Sequence, residues 1–393
     1  MTVRLGVVVL AGPDNGGTYQ YTLSTLQALV HTSGFEITLF GDPQNPDFVK
    51  FGYPISPFTE SRAQQLVALA AHTMHISLPD PFATQEIVLA PIYSTSLLHT
   101  SKPFAFTLHD LQDHYYPENF LWWQRILRYQ INARLSRRAR RIICESQYVR
   151  RDIVRLFDTA EERIAVLPAP PLRQFRADEN DSSLEAVRIR PKLPENFLFY
   201  PAQFWPHKNH LRLVEAFKEV AAEFPNLHLV LTGKTNMRRV KSKAIGGNDP
   251  PTGGAIGRDQ YAAVLSAVDK MGLSGRVHHL GYVEQDSLKA IYRLATALVM
   301  PSLFESVSIP IYEAFEVGTP VVASGILSIP EQVGDAGLLF DPTSVASIRQ
   351  AILEIARDPE GARRLGQKGR DRMTGMTSER YGAQLQNLLL ALA

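Results

Sequence analysis

The stretch Met300-Pro-Ser-Leu-Phe-Glu-Ser-Val-Ser-Ile-Pro-Ile-Tyr-Glu-Ala-Phe-Glu-Val-Gly-Thr-Pro-Val-Val-Ala-Ser324 decides the fold. An apolar strand is expected to end near Met300, and the loop after it carries Glu305. Pro310 suits the first position of a helix, because its fixed φ is helical and its missing N–H is not needed there. Another apolar strand is predicted at 320–323. Strand, loop, helix and strand in this order indicate a parallel sheet.

The same alternation runs outward through the whole chain. The strands predicted in the first half are Arg4–Leu10, Glu36–Phe40, Glu86–Ala90, Phe104–Leu108, Arg141–Cys144 and Ile164–Leu167. Those predicted in the second half are Phe197–Tyr200, His228–Leu231, Val277–Leu280, Ala297–Met300, Pro320–Ala323 and Leu338–Phe340. Amphipathic helical segments lie between most of them, which predicts an α/β protein with two doubly wound parallel sheets.

Length and composition fit two domains. The chain has 393 residues, of which 45% are hydrophobic, and its formal net charge is only +2. A polar, proline-containing linker separates a predicted first domain, 1–190, from a second, 195–375. The last helix, predicted within 376–393, is amphipathic, and the first domain is one place where we expect it to dock. A glycine- and lysine-rich surface loop is predicted at 236–258.

The sequence favours a cytoplasmic protein. Cys144 is the single cysteine, so the chain cannot form an internal disulfide, as suits a reducing compartment. The short apolar run at the N-terminus is typical of a buried strand, not of a signal peptide. No stretch approaches the ~20 apolar residues that span a bilayer.

In parallel sheets, ligands bind beyond the carboxyl ends of the strands. The backbone amides of Ser306, Val307, Ser308 and Ile309 are expected to be free and to bind an anion at the start of the Pro310 helix. Glu313 is expected in the first helical turn, where its carboxylate can accept two hydrogen bonds from a ribose. Alternatively, the helix dipole alone favours a glutamate there, and Glu305 is a solvated loop residue.

The segment resembles the signature of the retaining glycosyltransferases of family four, which have the GT-B fold. The residues that match in type and spacing are Phe304, Glu305, Pro310, Glu313, Ala314, Gly318–Ser324, Ile329–Glu331 and Gly334–Gly337. Ser306 and Ser308 depart, because the family usually has glycine at both positions. Since serine limits φ, we expect a stiffer loop here. The resemblance implies two Rossmann-like domains that face a central cleft.

The resemblance also implies roles for other residues. Lys208 is at the position of the family's diphosphate-binding lysine, and Gln203 replaces an arginine that often accompanies it. We expect Lys234 or Arg258 to supply the phosphate contact of that arginine. His109, in a Thr-x-His-Asp segment, is at the position that contacts the transferred sugar.

The resemblance implies further contacts with the nucleotide-sugar donor, at two glycines and near the nucleobase. The Gly16–Gly17 loop corresponds to a family loop that touches the donor phosphate or the acceptor, although a tight turn is the alternative. Tyr282 and Val283 are expected to frame the base. Together with Lys208, the resemblance makes Glu305 and His109 the candidate catalytic residues.

The implied activity is hexosyl transfer with retention, from a nucleotide diphosphate sugar to a glycan or lipid-linked acceptor in surface polysaccharide synthesis. The lysine segment is similar to that of bacterial mannosyl- and rhamnosyltransferases. No cofactor and no metal are expected, since the sequence has no Asp-x-Asp and no zinc-ligand spacing. Two alternatives remain open: a nucleotide-sugar epimerase or hydrolase of the same architecture, and a non-catalytic scaffold.

A basic aromatic segment spans 119–142. It contains seven arginines and no acidic residue, with Trp122, Trp123 and Tyr129 among them. Such a helix suits an anionic membrane surface, and we therefore expect a peripheral position on the inner face of the membrane. Alternatively, the aromatic side chains are core and the arginines are solvated or bind acceptor phosphate. No nucleic-acid recognition module accompanies the charge, so no nucleic-acid partner is expected.

Overall fold

The computed structural model describes residues 2–172, 193–234, 253–283 and 285–393. They form two compact units: the first is 2–172 with 376–393, and the second consists of the described residues between 193 and 375. The predicted linker and the part of the predicted loop at 236–252 lie largely outside the described residues, so both stay predictions. The end of that loop, 253–258, was predicted wrongly, because these residues belong to a helix that begins at Gly253.

The described strands of the first unit form one parallel sheet in the order β3–β2–β1–β4–β5–β6–β7. They are β1 (Val3–Val9), β2 (Phe35–Gly41), β3 (Ile55–Pro57), β4 (Ile87–Ala90), β5 (Phe104–Thr107), β6 (Arg141–Cys144) and β7 (Ile164–Val166). The helices around it include α1 (Gly17–Leu29), α2 (Pro46–Val49), α3 (Arg62–Thr73), α4 (Gln112–Tyr115), α5 (Trp122–Arg138) and α6 (Gln147–Phe157).

Both faces of this sheet are covered, as the central strand β1 shows. Leu5, Val7 and Val9 join a core that includes apolar residues of α1, whereas Val8 joins a second core with residues of α5 and α6. All four are at most 1% exposed. Because neighbouring side chains of a strand point to opposite faces, a strand buried on both sides is an unbroken apolar run.

The described strands of the second unit form a parallel sheet in the order β10–β9–β8–β11–β12–β13. They are β8 (Asn196–Pro201), β9 (Leu227–Thr232), β10 (Val277–His279), β11 (Ala297–Met300), β12 (Val321–Ser324) and β13 (Gly337–Phe340). Its helices include α7 (His210–Glu223), α8 (Gly253–Lys270), α9 (Gln285–Leu294), α10 (Ile309–Val317), α11 (Ile329–Val333), α12 (Val345–Arg357) and α13 (Pro359–Met373). The predicted α/β class with two parallel sheets is confirmed.

The predicted strand boundaries agree with the structure to within one residue at either end. One described strand, β3, is missing from the prediction. It has three residues and ends in Pro57 at the edge of the sheet, where a proline costs no ladder hydrogen bond. A strand this short gives no clear alternation in the sequence.

The last helix, α14 (Ser378–Leu390), packs on α1 in the first unit. Leu385 is fully buried in the core that α1 covers. Gly382 allows the close approach, because a Cβ there would lie 2.5 Å from the carbonyl oxygen of Ala28. The hydroxyl groups of Tyr381 and Tyr21 lie 3.0 Å apart and share a hydrogen bond.

Leu385→Ala should destabilise the first unit by about 2–5 kcal/mol, since it removes buried methyl groups and leaves a cavity. Leu390→Ala is the matched control, because Leu390 is in the same helix but 44% exposed. Hydrogen exchange of the α1 and α14 amides measures the loss locally, without assuming that both units unfold together. Equal loss of protection in the two variants would contradict the docking of α14.

Candidate active site

The loops after β8, β9, β10 and β11 lie at the carboxyl edge of the second sheet and bond to one another. The N–H of Leu303 donates to the carbonyl oxygen of His207 over 2.7 Å. The N–H of Gly233 donates to the carbonyl oxygen of Gly281 over 2.9 Å. Parallel sheets bind ligands at this edge. Most of the residues predicted to bind the donor therefore lie along one continuous rim of the second unit.

Lys208 and Glu305 form an ion pair on this rim. Lys208 ends a short 3-10 turn after β8, and Glu305 follows β11. The ammonium Nζ lies 2.5 Å from the carboxylate Oε1, and the two side chains are 20% and 11% exposed. In such a poorly solvated place the attraction is stronger than in water. The structure thus brings together two of the predicted catalytic residues, whose roles stay predictions.

Two residues without a predicted role hold Lys208 in place. The hydroxyl of Tyr200 donates to the carbonyl oxygen of Lys208 over 2.7 Å. Asn209 has a left-handed backbone, with φ of 61°, and its amide Nδ2 donates to the carbonyl oxygens of Pro301 and Pro342. Asparagine tolerates this conformation better than most residues. In the sequence, the only sign of these contacts was the asparagine that follows Lys208 directly before the next helix.

The helix after Glu305 is α10, which begins at Ile309. Pro310 therefore occupies the second helical position instead of the predicted first. The amide of Ser308 is not free as predicted, because it donates to the side-chain Oε1 of Gln332 over 2.9 Å. In the described part of the chain, the amides of Ser306, Val307 and Ile309 have no hydrogen-bond partner. Three of the four predicted anion-binding amides are thus available.

Side chains from the segment at 328–332 fix this loop. Gln332 Nε2 donates to the carbonyl oxygen of Ser308 over 2.6 Å. The hydroxyl of Ser328 donates to the carbonyl oxygens of Glu305 and Ser306. Neither Ser306 nor Ser308 has a positive φ, so serine fits at both positions without backbone strain.

Glu313 lies deeper than predicted. Because α10 starts at Ile309, Glu313 follows the first helical turn, and it is only 4% exposed. The hydroxyl of Tyr292 donates to its Oε2 over 2.7 Å. Burial raises the pKa of Glu313 to about 7, although the Tyr292 hydrogen bond opposes this shift. The carboxyl is therefore partly protonated near neutral pH.

The remaining predicted donor residues line the same rim. Gln203 Oε1 accepts a hydrogen bond from the Trp205 indole over 2.8 Å. Tyr282 is exposed and its ring lies 5.2 Å from the Lys234 ammonium, whereas Val283 is partly buried. The Arg258 side chain lies outside the described residues. Lys234 remains a candidate for the charged phosphate interaction that a neutral glutamine at position 203 does not provide.

In the first unit, Gly16 and Gly17 connect β1 to α1. Gly16 has φ of 53° and ψ of −121°, a conformation that side chains rarely adopt, and Gly17 is the first helical residue. Apart from Gly16 itself and its two chain neighbours, no described residue has a heavy atom within 4 Å of where a Cβ of Gly16 would be. The glycine is therefore needed for the backbone conformation, and it leaves open space at the start of α1.

His109 follows β5, and Glu145 follows β6, at the carboxyl edge of the first sheet. The Nδ1 of His109 lies 3.1 Å from Glu145 Oε2, and its Nε2 lies 2.8 Å from the carbonyl oxygen of Pro91. Burial alone would lower the pKa of His109, but Glu145 outweighs it and the pKa is raised. Tyr21 packs edge-on against the ring, at 4.6 Å between centroids. Both ring nitrogens of His109 therefore face oxygen acceptors.

The basic segment at 119–142 forms a shorter helix than predicted, α5, over 122–138. Arg128 is not available to a membrane, because it is buried and pairs with Asp110 and Asp113. Trp122 is 72% exposed at the start of the helix. Within the described residues, no helix is long and apolar enough to cross a bilayer, and no three His, Cys, Asp or Glu residues are grouped as metal ligands are. The expectation of no metal stays a prediction.

Comparison with known proteins gives consistent matches along the chain. A family model described as "Glycosyl transferases group 1" matches residues 184–372, and one described as "Glycosyltransferase Family 4" matches residues 15–170. The O-antigen chain mannosyltransferase RfbU of Salmonella typhimurium is 24% identical over 364 residues, which cover 90% of this chain and 91% of the relative.

Another relative and a solved structure are also similar to this chain. The O-antigen chain mannosyltransferase B of Escherichia coli is 27% identical over 224 residues, 56% of this chain and 52% of the relative, so the match spans about half of that protein. The structure of Anabaena HepE in complex with UDP-glucose superposes with a TM-score of 0.74 at 17% identity, over 99% of this chain and all of that one. The chain therefore belongs to the glycosyltransferases of family four and has their GT-B fold, with two Rossmann-like units.

Proposed function

We propose that this protein is a retaining hexosyltransferase of surface polysaccharide synthesis, which moves a hexose or deoxyhexose from a nucleotide diphosphate sugar to a glycan or lipid-linked acceptor. The Lys208–Glu305 pair beside three free amides carries the proposal. The mannosyltransferase names of two relatives make mannose the first candidate sugar.

The diphosphate is assigned to the second unit. Lys208 offers a compact positive charge, and the amides of Ser306, Val307 and Ile309 offer dipoles at the start of α10. As the bond between sugar and phosphate breaks, negative charge grows on the leaving phosphate. Groups already aimed at that charge stabilise the transition state more than the ground state.

The sugar is assigned to Glu305 and His109. Glu305 already accepts from Lys208, and its second carboxylate oxygen remains for a sugar hydroxyl. His109 lies at the carboxyl edge of the first sheet, where Glu145 raises its pKa against the effect of burial. We assign retention to attack by the acceptor hydroxyl on the face from which the phosphate leaves, with that phosphate helping to take the proton.

Lys208→Ala and Glu305→Ala should each lower kcat/KM for sugar transfer by on the order of 10²–10³, because each removes a charged group from the reacting centre. Lys218→Ala is the matched control, since Lys218 is exposed on α7. A thermal-shift screen of UDP-, GDP-, ADP- and TDP-sugars first identifies the donor, and labelled-sugar transfer then measures the rate.

Three outcomes of this assay contradict the proposal. Near-normal transfer in both variants would refute the assigned residues. Donor consumption that is independent of any acceptor would favour an epimerase or a hydrolase. Failure to bind every donor would favour a scaffold.

Nucleotide affinity should rise with pH between about 6 and 8. Free Glu313 has a raised pKa of about 7, and ribose hydroxyls that donate to its carboxylate favour the charged form. Binding therefore lowers this pKa and releases a proton, so affinity increases until the free carboxyl is ionised. Calorimetry in buffers of different ionisation enthalpy measures the released proton. The slope should vanish in Glu313→Gln, and an unchanged slope in that variant would remove Glu313 from the ribose site.

A peripheral position at the inner face of the cell membrane is also proposed. Leu121, Trp122, Trp123, Ile126 and Tyr129 are all exposed near the start of α5. Aromatic side chains favour the membrane–water interface, and neighbouring arginines attract anionic lipid. A lipid-linked acceptor would be reached from such a surface.

The double variant Trp122→Ser, Trp123→Ser should reduce binding to phosphatidylglycerol vesicles by about tenfold or more, because it removes two interfacial anchors. Leu66→Ser, Val67→Ser is the matched control, since both of these side chains are exposed on α3 in the same unit. Vesicle flotation measures the bound fraction. Equal flotation of the two variants would contradict membrane contact through α5.

A further inference from the structure

The end of α5 and the amino ends of β5, β6 and β7 surround a pocket of about 610 Å³ in the first unit. Its cationic lining residues are Lys102, Arg137, Arg138, Arg140, Arg141 and Arg163, and no acidic residue is among its lining. The pocket is at the edge of the sheet opposite to His109. Four-residue strands rising about 3.3 Å per residue separate the two edges by roughly 13 Å. The pocket is therefore distinct from the candidate active-site residue His109.

Three of these cationic side chains have a structural role, because they donate hydrogen bonds to backbone carbonyl oxygens. Arg163 Nη2 donates to the carbonyl oxygen of Ser136 over 2.7 Å, at the end of α5. Arg138 Nη2 donates to the carbonyl oxygen of Thr100 over 2.7 Å, and Arg141 bonds to the carbonyl oxygen of Glu162. Carbonyl groups at a helix C-terminus favour positive charge. Such contacts satisfy donors without cancelling the charge.

The other three cations have no such explanation. Within the described ranges, the side chains of Lys102, Arg137 and Arg140 form no ion pair and no hydrogen bond with the protein. The whole chain has 41 Lys and Arg against 39 Asp and Glu, so this cluster reflects local segregation of charge, not a general excess. Like charges gathered in one pocket repel one another, and an anion would relieve that repulsion.

We infer that this pocket binds a phosphate-bearing anion with at least two negative charges. Guanidinium groups present planar pairs of N–H donors that match phosphate oxygens, and five of the six cations are arginines. A volume of about 610 Å³ is ample for a chain of phosphates or for a phosphorylated headgroup. Soluble polyphosphate compounds and anionic lipid share this chemistry, and vesicle binding separates them.

Titration with inorganic tripolyphosphate at about 0.05 M salt, where screening is weak, tests the site. All proteins carry Lys208→Ala, so that the proposed donor site does not contribute. Adding Arg137→Gln and Arg140→Gln should weaken binding by about tenfold or more, since two bidentate partners are removed. Adding Arg62→Gln and Arg151→Gln instead makes the matched control: both are exposed arginines of the same unit, and the charge change is equal.

Unchanged binding in the control, with loss in the pocket variant, supports the site. Equal affinity in the two double variants, or no binding in Lys208→Ala alone, overturns it. Melting temperatures of the variants show whether each protein is folded. The sugar-transfer assay reports independently on the proposed function, because the Lys208 result there does not depend on this pocket.

Phosphatidylglycerol vesicles identify the source of the phosphate. If the Arg137→Gln, Arg140→Gln pair lowers vesicle binding as strongly as it lowers tripolyphosphate binding, the ligand is a lipid headgroup. If vesicle binding is unchanged while tripolyphosphate binding falls, the ligand is a soluble phosphate compound. A fall in vesicle binding alone contradicts a pocket that recognises phosphate, and indicates general surface charge.

Discussion

The charge pair between Lys208 and Glu305 is the interaction on which the candidate site depends. Its two members come from loops 97 residues apart in the chain, after strands that are neighbours in the second sheet. Because both side chains are poorly solvated, leaving either one alone would expose the other to an uncompensated desolvation cost. The pair therefore ties the two loops together, and the Tyr200 and Asn209 contacts fix the lysine backbone behind it.

This pairing also defines what an incoming anion meets. Glu305 already balances the charge of Lys208, so the ammonium alone gives a diphosphate no net positive site. The amides at the start of α10 supply the remainder, and they are dipoles fixed by the fold that need no counterion. Glu313 adds to this balance, because burial keeps part of its carboxyl neutral near pH 7 in the free protein, whereas the proposed ribose contact favours its charged form. The site is thus built from a balance of partial charges.

The sequence predicted the sheets well, because buried parallel strands are unbroken apolar runs between glycine- and proline-containing loops. The approach of Lys208 to Glu305 was also predictable, since residues that follow neighbouring parallel strands meet at one edge. Side-chain contacts between separate helices and loops could not be predicted from the sequence. Nothing in the local sequence shows that Gln332 takes the Ser308 amide, or that Tyr292 reaches Glu313. The depth of Glu313 was missed for the same reason, because its burial depends on packing against α9, which carries Tyr292.

The arginine-rich segment shows the same limit most clearly. From sequence it was one basic amphipathic surface, but seventeen residues at 1.5 Å each extend for about 25 Å and pass through different surroundings. At its start, aromatic side chains face solvent. In its middle, Arg128 turns inward to Asp110 and Asp113, two carboxylates from the loop and short helix that follow β5. At its end, arginines bind carbonyl groups or line a pocket. Charge composition therefore could not assign one function to this helix, because burial and neighbouring acceptors decide residue by residue which charges remain for a ligand.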